Sequence, residues 1–190
     1  MSPQSADQRR VQVLDAAVEA FATAGLQGAT TAGIAAAAGI SQPYVMHLFG
    51  SKKGLFLAVL DEGTRRLAAL LDEAPPSTGV DDPVAVISAG YDRLIREHPS
   101  LMRLQLQSWA AATTDPEIRD ACAAHFRSLW ESAAGHLGLT RGDTAPLMAS
   151  LTFFNVVVAL GLQQDDDCAV APMMARILGG EDTPGDPQSR

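Results

Sequence analysis

The sequence predicts an all-α protein of about nine helices: a three-helix N-terminal domain that contains a helix-turn-helix, and a larger C-terminal helical domain. Apolar residues recur at helical spacing along almost the whole chain, and no segment shows the sustained alternation of a β-strand. Glycine and proline separate the apolar runs, and serine, threonine or aspartate stands before most of them, as helix caps do. With 190 residues, 47% of them hydrophobic, the chain is long enough to bury a core in one large domain or two small ones.

The first predicted helix ends at Gly25 and buries one apolar stripe against the helices that follow. That stripe consists of Val11, Leu14, Val18 and Phe21. Arg9 and Arg10 stand at the beginning of this helix, behind a short arm rich in serine and proline. Two interpretations stay open for these arginines: contacts with the phosphates or the minor groove of a DNA duplex, or ordinary solvated charges.

Residues 30–49 read as two short helices joined by a tight turn. Thr30 or Thr31 caps the first helix, and Gly39 ends it because glycine adopts a left-handed backbone without steric cost. Ser41 caps the second helix, and Pro43 lies in its first turn, where the missing N–H costs nothing. The side chains expected inside are Ile34, Ile40, Val45, Leu48 and Phe49, and those on the outer face are Gln42, Tyr44 and His47. Such an outer face can meet base edges or phosphates in a DNA groove; the alternative is an ordinary helical hairpin.

A third helix begins directly behind this pair, and Ser51 is its cap. Its first two residues are Lys52 and Lys53, whose positive charges oppose the helix dipole unless an external anion lies nearby. Free N–H groups, the dipole and two lysines together form a phosphate site, and a phosphate there would fix the register of the second short helix on a duplex. The alternative is a pair of solvated lysines.

This stretch resembles the DNA-binding domain of the TetR family of one-component transcriptional repressors over about the first 60 residues. The matching features are an Ala-Gly pair that ends the first helix, a Thr-Thr helix start, an Ala-Gly-Ile-Ser turn, a closing phenylalanine and a Ser-Lys helix start. They lie at Ala24, Gly25, Thr30, Thr31, residues 38–41, Phe49, Ser51 and Lys52. One position departs from the family, whose recognition helix often carries a phosphate-binding tyrosine where this chain has Met46. That contact is either lost or moved to Tyr44, His47 or Lys52.

The resemblance implies a DNA-binding regulator, expected to be a repressor that a small-molecule effector releases from its operator, with activation left open. The DNA-binding residues expected at the matching positions are Thr30, Thr31, Ser41, Gln42, Pro43, Tyr44, His47, Lys52 and Lys53. Large or polar side chains on the later helices are candidates for the effector cavity, although core packing explains each of them as well: Tyr91, Met102, Trp109, Phe126, Trp130, Phe153 and Asn155. The expected partners are a palindromic double-stranded DNA operator, an effector of unknown identity and a second copy of the chain.

The net charge fits this interpretation because it is unevenly distributed. Of the formal charge of −8, residues 1–60 hold four basic and three acidic side chains, a net charge of +1. Residues 61–190 hold ten basic and nineteen acidic side chains, a net charge of −9. Because salt screens charges beyond about 8 Å at physiological ionic strength, the N-terminal face can bind DNA beside an acidic body. Weak non-specific binding is the expected consequence.

Proline and glycine divide the rest of the chain into further helices. The helix that follows Ser51 acts as a connector and ends before Pro75, which opens a segment rich in proline and serine. Later helices are expected to begin after Asp82, at Ser100, after Asp115, after Asp143 and at about residue 169. Three regions result: a DNA-binding domain at 1–55, an effector-binding and dimerisation domain at 56–178, and a disordered tail at 179–190.

The helix expected at residues 143–164 is apolar on nearly every side. Its main stripe consists of Leu147, Leu151, Phe154, Val158 and Leu162, and a second edge consists of Met148, Phe153, Val156 and Val157. One side can face the domain's own core; the other requires a partner, most simply the same helix of a second subunit. Met174 and Ile177 of the last helix are expected to extend that dimer surface. Such a dimer would hold two recognition helices about 34 to 36 Å apart, the spacing of successive major grooves.

Other classes of function find little support. No apolar run approaches the roughly 20 residues of a membrane span, and the N-terminus lacks the apolar segment of a signal peptide, so a cytoplasmic protein is expected.

Cys122 and Cys168 lack metal-ligand spacing and are expected to be reduced thiols, and no metal or cofactor is expected. Cys122 and His125 are the one compact pair of nucleophile and base, without a phosphate loop or zinc motif, so an enzyme is not expected. An all-helical protein-interaction adaptor stays as the alternative, although it leaves the two lysines unexplained.

Overall fold

A computed structural model describes residues 5–72, 97–140, 142, 144–160 and 162 of the chain. These residues form seven α-helices and no β-strand, which confirms the all-α class. The helices are α1 (Ala6–Gly28), α2 (Thr31–Ala37), α3 (Gln42–Phe49), α4 (Lys52–Asp72), α5 (Pro99–Ala112), α6 (Pro116–Leu137) and α7 (Ala145–Ala159). The helices expected after Asp82 and at about residue 169 lie outside the described residues, as do Tyr91, Cys168, Met174 and Ile177.

Backbone contacts group the described residues into two compact units. The first unit contains residues 5–70 and 97–129, and therefore α1, α2, α3, α5, most of α4 and the first part of α6. The second unit contains the end of α6 and all of α7. The domain boundaries expected at residues 55 and 178 stay predictions.

The helix-turn-helix forms through the caps that the sequence predicts. Thr30 caps α2 by accepting a hydrogen bond from the N–H of Gly33 at 3.1 Å, and Ser41 caps α3 by accepting one from the N–H of Tyr44 at 3.4 Å. Between the two helices Gly39 has φ +67°, a backbone conformation that costs an L side chain energy but not glycine. Both caps and the glycine turn are confirmed.

The core of the first unit is built around α1, which packs against α2 and α5. Phe21 of α1 meets Phe56 of α4 edge to face, with ring centroids 4.9 Å apart, and both side chains are fully buried. The expected stripe is wrong at one position, because Val11 is 53% exposed whereas Val13 is fully buried. Contact with helices on two sides widens the buried face of α1 beyond the single stripe that the spacing predicted.

α4 begins in a tight junction directly behind α3. Ser51 caps α4 by accepting a hydrogen bond from the N–H of Gly54 at 2.9 Å, as expected. A Cβ atom on Gly54 would lie 2.3 Å from the carbonyl oxygen of Phe49, the last residue of α3. The absence of a side chain at Gly54 therefore allows α3 and α4 to approach this closely.

α5 begins differently from the prediction. Pro99 is its first residue, and the N-cap residue His98 makes no side-chain cap hydrogen bond. Ser100, expected as the cap, is buried within the first turn, where its hydroxyl accepts a hydrogen bond from Nη2 of Arg103 at 3.1 Å. A proline begins a helix at no cost, because the N–H groups of the first turn have no helical partner. The helix therefore begins at Pro99, one residue before the expected cap Ser100.

The two remaining helices match the expectation more closely. Asp115 caps α6, since its Oδ1 accepts hydrogen bonds from the N–H groups of Glu117 at 3.0 Å and Ile118 at 3.3 Å. α6 ends before Gly138, as predicted. α7 covers Ala145–Ala159, within the longer range of 143–164 that the apolar pattern indicated.

The first prediction concerns the α3–α4 junction. We expect Gly54→Ala to lower the free energy of unfolding by about 1 to 3 kcal/mol, because the new methyl group would clash with the backbone oxygen of Phe49. Urea unfolding followed by circular dichroism measures this change.

Gly135→Ala is the matched control, because a Cβ atom at this α6 position meets nothing within 4 Å. The control should raise the stability by up to about 1 kcal/mol, since alanine favours helix more than glycine does. Equal effects of the two substitutions would contradict a steric role for Gly54.

Candidate nucleic-acid interface

α3 presents an outer face that consists of Gln42, Pro43, Tyr44 and His47, called the α3 face below. Gln42 and His47 are exposed as predicted and Pro43 is exposed beside them, whereas Tyr44, expected on the same face, is half-buried. The ring of His47 stacks on that of Tyr44 with centroids 6.3 Å apart, and the guanidinium carbon of Arg9 lies 5.7 Å from the Tyr44 centroid. The α3 face therefore combines hydrogen-bonding groups with a positive charge supplied by α1.

The other side of α3 is less completely buried than expected. Val45 is buried, but Ile40, Leu48 and Phe49 are only half-buried. The guanidinium carbon of Arg10 lies 4.6 Å from the centroid of the Phe49 ring. A cation held over an aromatic ring at a partly exposed place contributes about 0.5 to 1 kcal/mol. Arg10, like Arg9, therefore braces α3, which the sequence did not indicate because α1 and α3 are distant in the chain.

The three hydroxyl residues of the predicted site hold α2 and α3 in place. Thr30 and Ser41 serve as the caps of these helices, and both are exposed. Thr31 is half-buried, and its Oγ1 accepts a hydrogen bond from Nε2 of Gln42 at 2.9 Å. This bond joins the first residues of α2 and α3 and fixes the amide group of Gln42 at the beginning of α3.

Lys52 has an intramolecular role that its position in the sequence did not reveal. Its Nζ donates hydrogen bonds to the backbone oxygens of Gln27 and Ala29, both at 3.2 Å. These two oxygens lie at the end of α1, where carbonyl groups lack helical partners. Lys52 thereby ties the beginning of α4 to the end of α1.

Lys53 forms ion pairs with two carboxylates at the beginning of α6. Its Nζ lies 2.6 Å from Oε2 of Glu117 and 3.2 Å from Oδ2 of Asp115. The hydrogen bonds to Glu117 and then to Asp115 raise the pKa of Lys53 above its ordinary value. Burial favours the neutral form of Asp115, but the hydrogen bonds from Lys53 and from the N–H of Ile118 outweigh it and lower the pKa of this carboxyl. The phosphate site expected from the two lysines thus contains ammonium groups that already have partners within the chain.

A small cavity of about 50 Å³ lies among α4, α5 and α6 in the first unit. Its lining consists of Leu60, Gly63, Thr64 and Leu67 of α4, Leu101, Leu104, Gln105, Ser108 and Trp109 of α5, and Cys122, His125, Phe126 and Leu129 of α6. Trp109 and Phe126 are thus the two predicted effector residues that the structure brings together. Because cavities that hold small molecules usually measure about 300 to 1,000 Å³, this one must expand before it can accept an effector.

The other predicted effector residues lie elsewhere. Met102 is buried without lining the cavity, and Nε1 of Trp130 donates a hydrogen bond to Oγ1 of Thr144 at 2.7 Å. In α7 of the second unit, Asn155 is buried and Phe153 is 42% exposed. The size and polarity of the side chains did not distinguish these positions from Trp109 and Phe126, because only the packing of three helices defines the cavity.

The polar groups of the cavity include one pair that the sequence considered for catalysis. Burial raises the pKa of the Cys122 thiol, which approaches the backbone oxygen of Ser108 at 3.8 Å. Nε2 of His125 lies 2.7 Å from Oδ1 of Asp61 on α4. Cys122 and His125 therefore have separate partners and do not form a nucleophile–base pair. Among the described residues no three acidic, histidine or cysteine side chains gather into a metal site.

An apolar stripe is exposed along α7 and continues just beyond its end. It consists of Phe153, Val156 and Leu160, which are 42%, 42% and 67% exposed. Of the residues predicted for the dimer surface, Leu151 is half-buried, and the side chains of Leu147, Phe154 and Val158 are outside the described part of the structure. Within the described ranges no helix is both long and apolar enough to cross a bilayer.

Comparisons with known proteins agree with this arrangement. The family model described as bacterial regulatory proteins of the tetR family matches residues 13–59, which include α2, α3 and the beginning of α4. The HTH-type transcriptional regulator BetI of Burkholderia mallei is 30% identical over 139 residues, which cover 70% of this chain and 69% of that protein.

Two solved structures share the fold. A TetR family member from Streptomyces coelicolor A3 has a TM-score of 0.71 at 20% identity, covering 90% of this chain and 98% of that one. The regulator FadR from Bacillus subtilis, in complex with stearoyl-CoA, has a TM-score of 0.69 at 15% identity, covering 91% of this chain and 100% of that one.

A second prediction tests the structural role of Lys52. We expect Lys52→Met to lower the free energy of unfolding by about 1 kcal/mol, because it removes two hydrogen bonds to α1 while retaining much of the side-chain stem. Urea unfolding measures this loss, and Lys52→Arg, which keeps the donors, should recover most of it. Unchanged stability in Lys52→Met would show that the two bonds contribute nothing.

Proposed function

This chain belongs to the TetR family of bacterial regulatory proteins, and we propose on that premise that it is a repressor whose α3 enters the major groove of a palindromic operator. Members of the family are transcriptional regulators, and the chain is a DNA-binding transcriptional regulator. Its family membership disfavours the alternative of a helical adaptor without DNA binding. A cytoplasmic location is part of the proposal, because operator DNA lies there.

The exposed α3 face is the observation that carries this proposal. α3 is a short helix with a defined cap, and the bond between Thr31 and Gln42 holds an amide group at its exposed beginning. Glutamine can bond the N6 and N7 positions of adenine in the major groove, which is a direct reading of a base. Tyr44 and His47 lie on the same face, and Arg9 adds a positive charge beside them.

Met46 stands where many members of the family carry a phosphate-binding tyrosine, so another residue must donate that hydrogen bond if the contact is kept. Met46 is 36% exposed and cannot donate a comparable hydrogen bond. Of the three replacements that the sequence allowed, Lys52 is held by backbone oxygens of α1. We propose that Tyr44 or His47, which lie on α3 itself, donates to phosphate in place of that tyrosine.

A third prediction tests base reading by Gln42. The wild-type protein should first select a duplex from a random pool, and single base changes in that duplex then define its discrimination. We expect Gln42→Ala to lose about 1 to 3 kcal/mol of discrimination at one base pair per half-site and none at the others.

Binding to an unrelated duplex provides the control in this experiment, because Gln42→Ala removes no charge and should leave non-specific affinity unchanged. Equal weakening on every duplex would contradict base reading by Gln42. Failure of the wild-type protein to select any sequence would refute the proposed function itself.

A homodimer completes the proposal, because a palindrome requires two recognition helices. The exposed stripe of Phe153, Val156 and Leu160 is an apolar surface that a second copy of α7 could cover around a two-fold axis. Phe153 thus fits the dimer surface better than the effector cavity for which the sequence suggested it.

A fourth prediction addresses this dimer. We expect Val156→Glu to convert a dimer into a monomer at micromolar concentration, because a carboxylate would be buried without a partner in the interface. Sedimentation velocity measures the mass. Val11→Glu is the control, because Val11 is an exposed valine on α1 and does not belong to the apolar stripe of Phe153, Val156 and Leu160. This variant should remain dimeric.

Control by a small molecule is the last part of the proposed function. The cavity among α4, α5 and α6 is the candidate site, with Trp109 and Phe126 in its lining. FadR, which shares the fold, holds stearoyl-CoA in its structure. Since α4 lines this cavity and also follows α3 directly, a ligand that enlarges the cavity would displace the helix next to the recognition helix. We propose that the operator is released in this way.

A further inference from the structure

Two polar contacts join α4 and α6 side by side. Lys53, in the first turn of α4, bonds Glu117 and Asp115 at the beginning of α6. Asp61, two turns further along α4, bonds His125, two turns further along α6. The partners are separated by 62 residues in one contact and 64 in the other, so the two helices run parallel in a constant register. Their relative position is therefore specified at two points.

We propose that Lys53 is a positioning residue for DNA recognition, whose ion pairs with Asp115 and Glu117 set the position of α3, and that it is not itself a contact to operator phosphate. These three residues are called the α4–α6 clasp below. The inference rests on the proposed function, in which α3 enters the groove.

The junction between α3 and α4 transmits any displacement of α4 to the recognition helix. Only Gly50 and Ser51 separate the two helices, and the N–H of Ser51 donates to the oxygen of Phe49 at 2.8 Å. Gly54 packs against the same oxygen so closely that a Cβ atom would not fit. α3 and the first turn of α4 therefore move together, and a contact that holds Lys53 also holds α3.

The charges around Lys53 disfavour a phosphate at this place. One ammonium group faces two carboxylates, so the clasp has a net charge of −1 and repels an approaching phosphate. Isolated surface ion pairs contribute little, because two mobile side chains must be ordered. Here Asp115 is already ordered, since its other oxygen caps α6, and it is only 27% exposed. The clasp thus begins from a preorganised carboxylate.

The test compares operator binding by four proteins, measured by fluorescence anisotropy on the duplex that the wild-type protein selects. Lys53→Gln removes both ion pairs of the clasp and Glu117→Gln removes the shorter one, and we expect both to weaken operator binding by about three- to ten-fold. The double variant should bind the operator no more weakly than the weaker-binding single variant does, because Lys53→Gln already removes the ion pair that Glu117→Gln removes. A phosphate contact predicts opposite signs instead: Lys53→Gln would weaken binding, and Glu117→Gln would strengthen it by releasing the ammonium group.

The dependence of affinity on salt separates the two roles a second time. Each phosphate contact contributes about 0.9 to the slope of log K against log salt concentration. We expect the slope of Lys53→Gln to equal that of the wild-type protein. A slope smaller by about 0.9, or the opposite signs described above, would overturn the inference.

A charge exchange provides the rescue. The background is Asp115→Asn, which removes one carboxylate but keeps a side chain that can cap α6. In this background Lys53→Glu places a carboxylate opposite Glu117 and should abolish operator binding. Adding Glu117→Lys restores an ion pair of reversed polarity, and operator affinity should return to within about two-fold of the Asp115→Asn protein. A positioning role accepts either polarity, whereas a phosphate contact at Lys53 does not, so absence of rescue would count against the clasp.

Arg65→Gln is the matched control, because Arg65 is a cation on the same helix whose ion pair, with Glu62, stays within α4. It should leave operator affinity and its salt dependence unchanged. Urea unfolding of every variant shows that a change in affinity does not come from loss of folded protein. If the wild-type protein selects no duplex, the proposed function is wrong. If the wild-type protein selects a duplex but the variants do not behave as stated, only the inference about Lys53 is wrong.

Discussion

The burial of Phe56 against Phe21 is the contact on which the rest of the first unit depends. Both rings are fully buried, and their edge-to-face packing anchors α4 to α1. Once α4 is held there, Lys52 reaches the free carbonyl groups at the end of α1, and Gly54 brings the end of α3 into contact. The recognition helix therefore owes its position to a hydrophobic core as much as to its own turn.

The basic residues next to α2 and α3 make contacts within the chain that hold the helices of the first unit together. Arg9 and Arg10 cover aromatic rings of α3, while Lys52 and Lys53 bind oxygens of the same chain. Of these four cations Lys53 is the one that meets carboxylates, whereas Lys52 binds neutral oxygens and the two arginines lie over rings, which leaves their positive charges in place. In the proposed function the groups on α3 that meet base edges supply the discrimination between sequences, because phosphate contacts carry no sequence information.

α4 connects the proposed reading of DNA with the proposed binding of an effector. Its beginning adjoins α3, its middle pairs with α6 through Asp61 and His125, and its later turns line the cavity. A cavity of about 50 Å³ cannot accept a ligand without movement of these helices. The small cavity and the ordered junction thus share α4, and in the proposed function a change at one of them affects the other.

The sequence alone determined the helical class, the caps at Thr30, Ser41 and Ser51, and the glycine turn, because these features depend on residues three or four positions apart. It also indicated the exposed face of α3, since helical periodicity decides which side chains share a face. Tertiary structure alone decided that Lys53 would meet Asp115 and Glu117, which side chains line the cavity, and that Val13 would replace Val11 in the core. Those outcomes depend on how helices distant in the chain pack together, and no local pattern records that information.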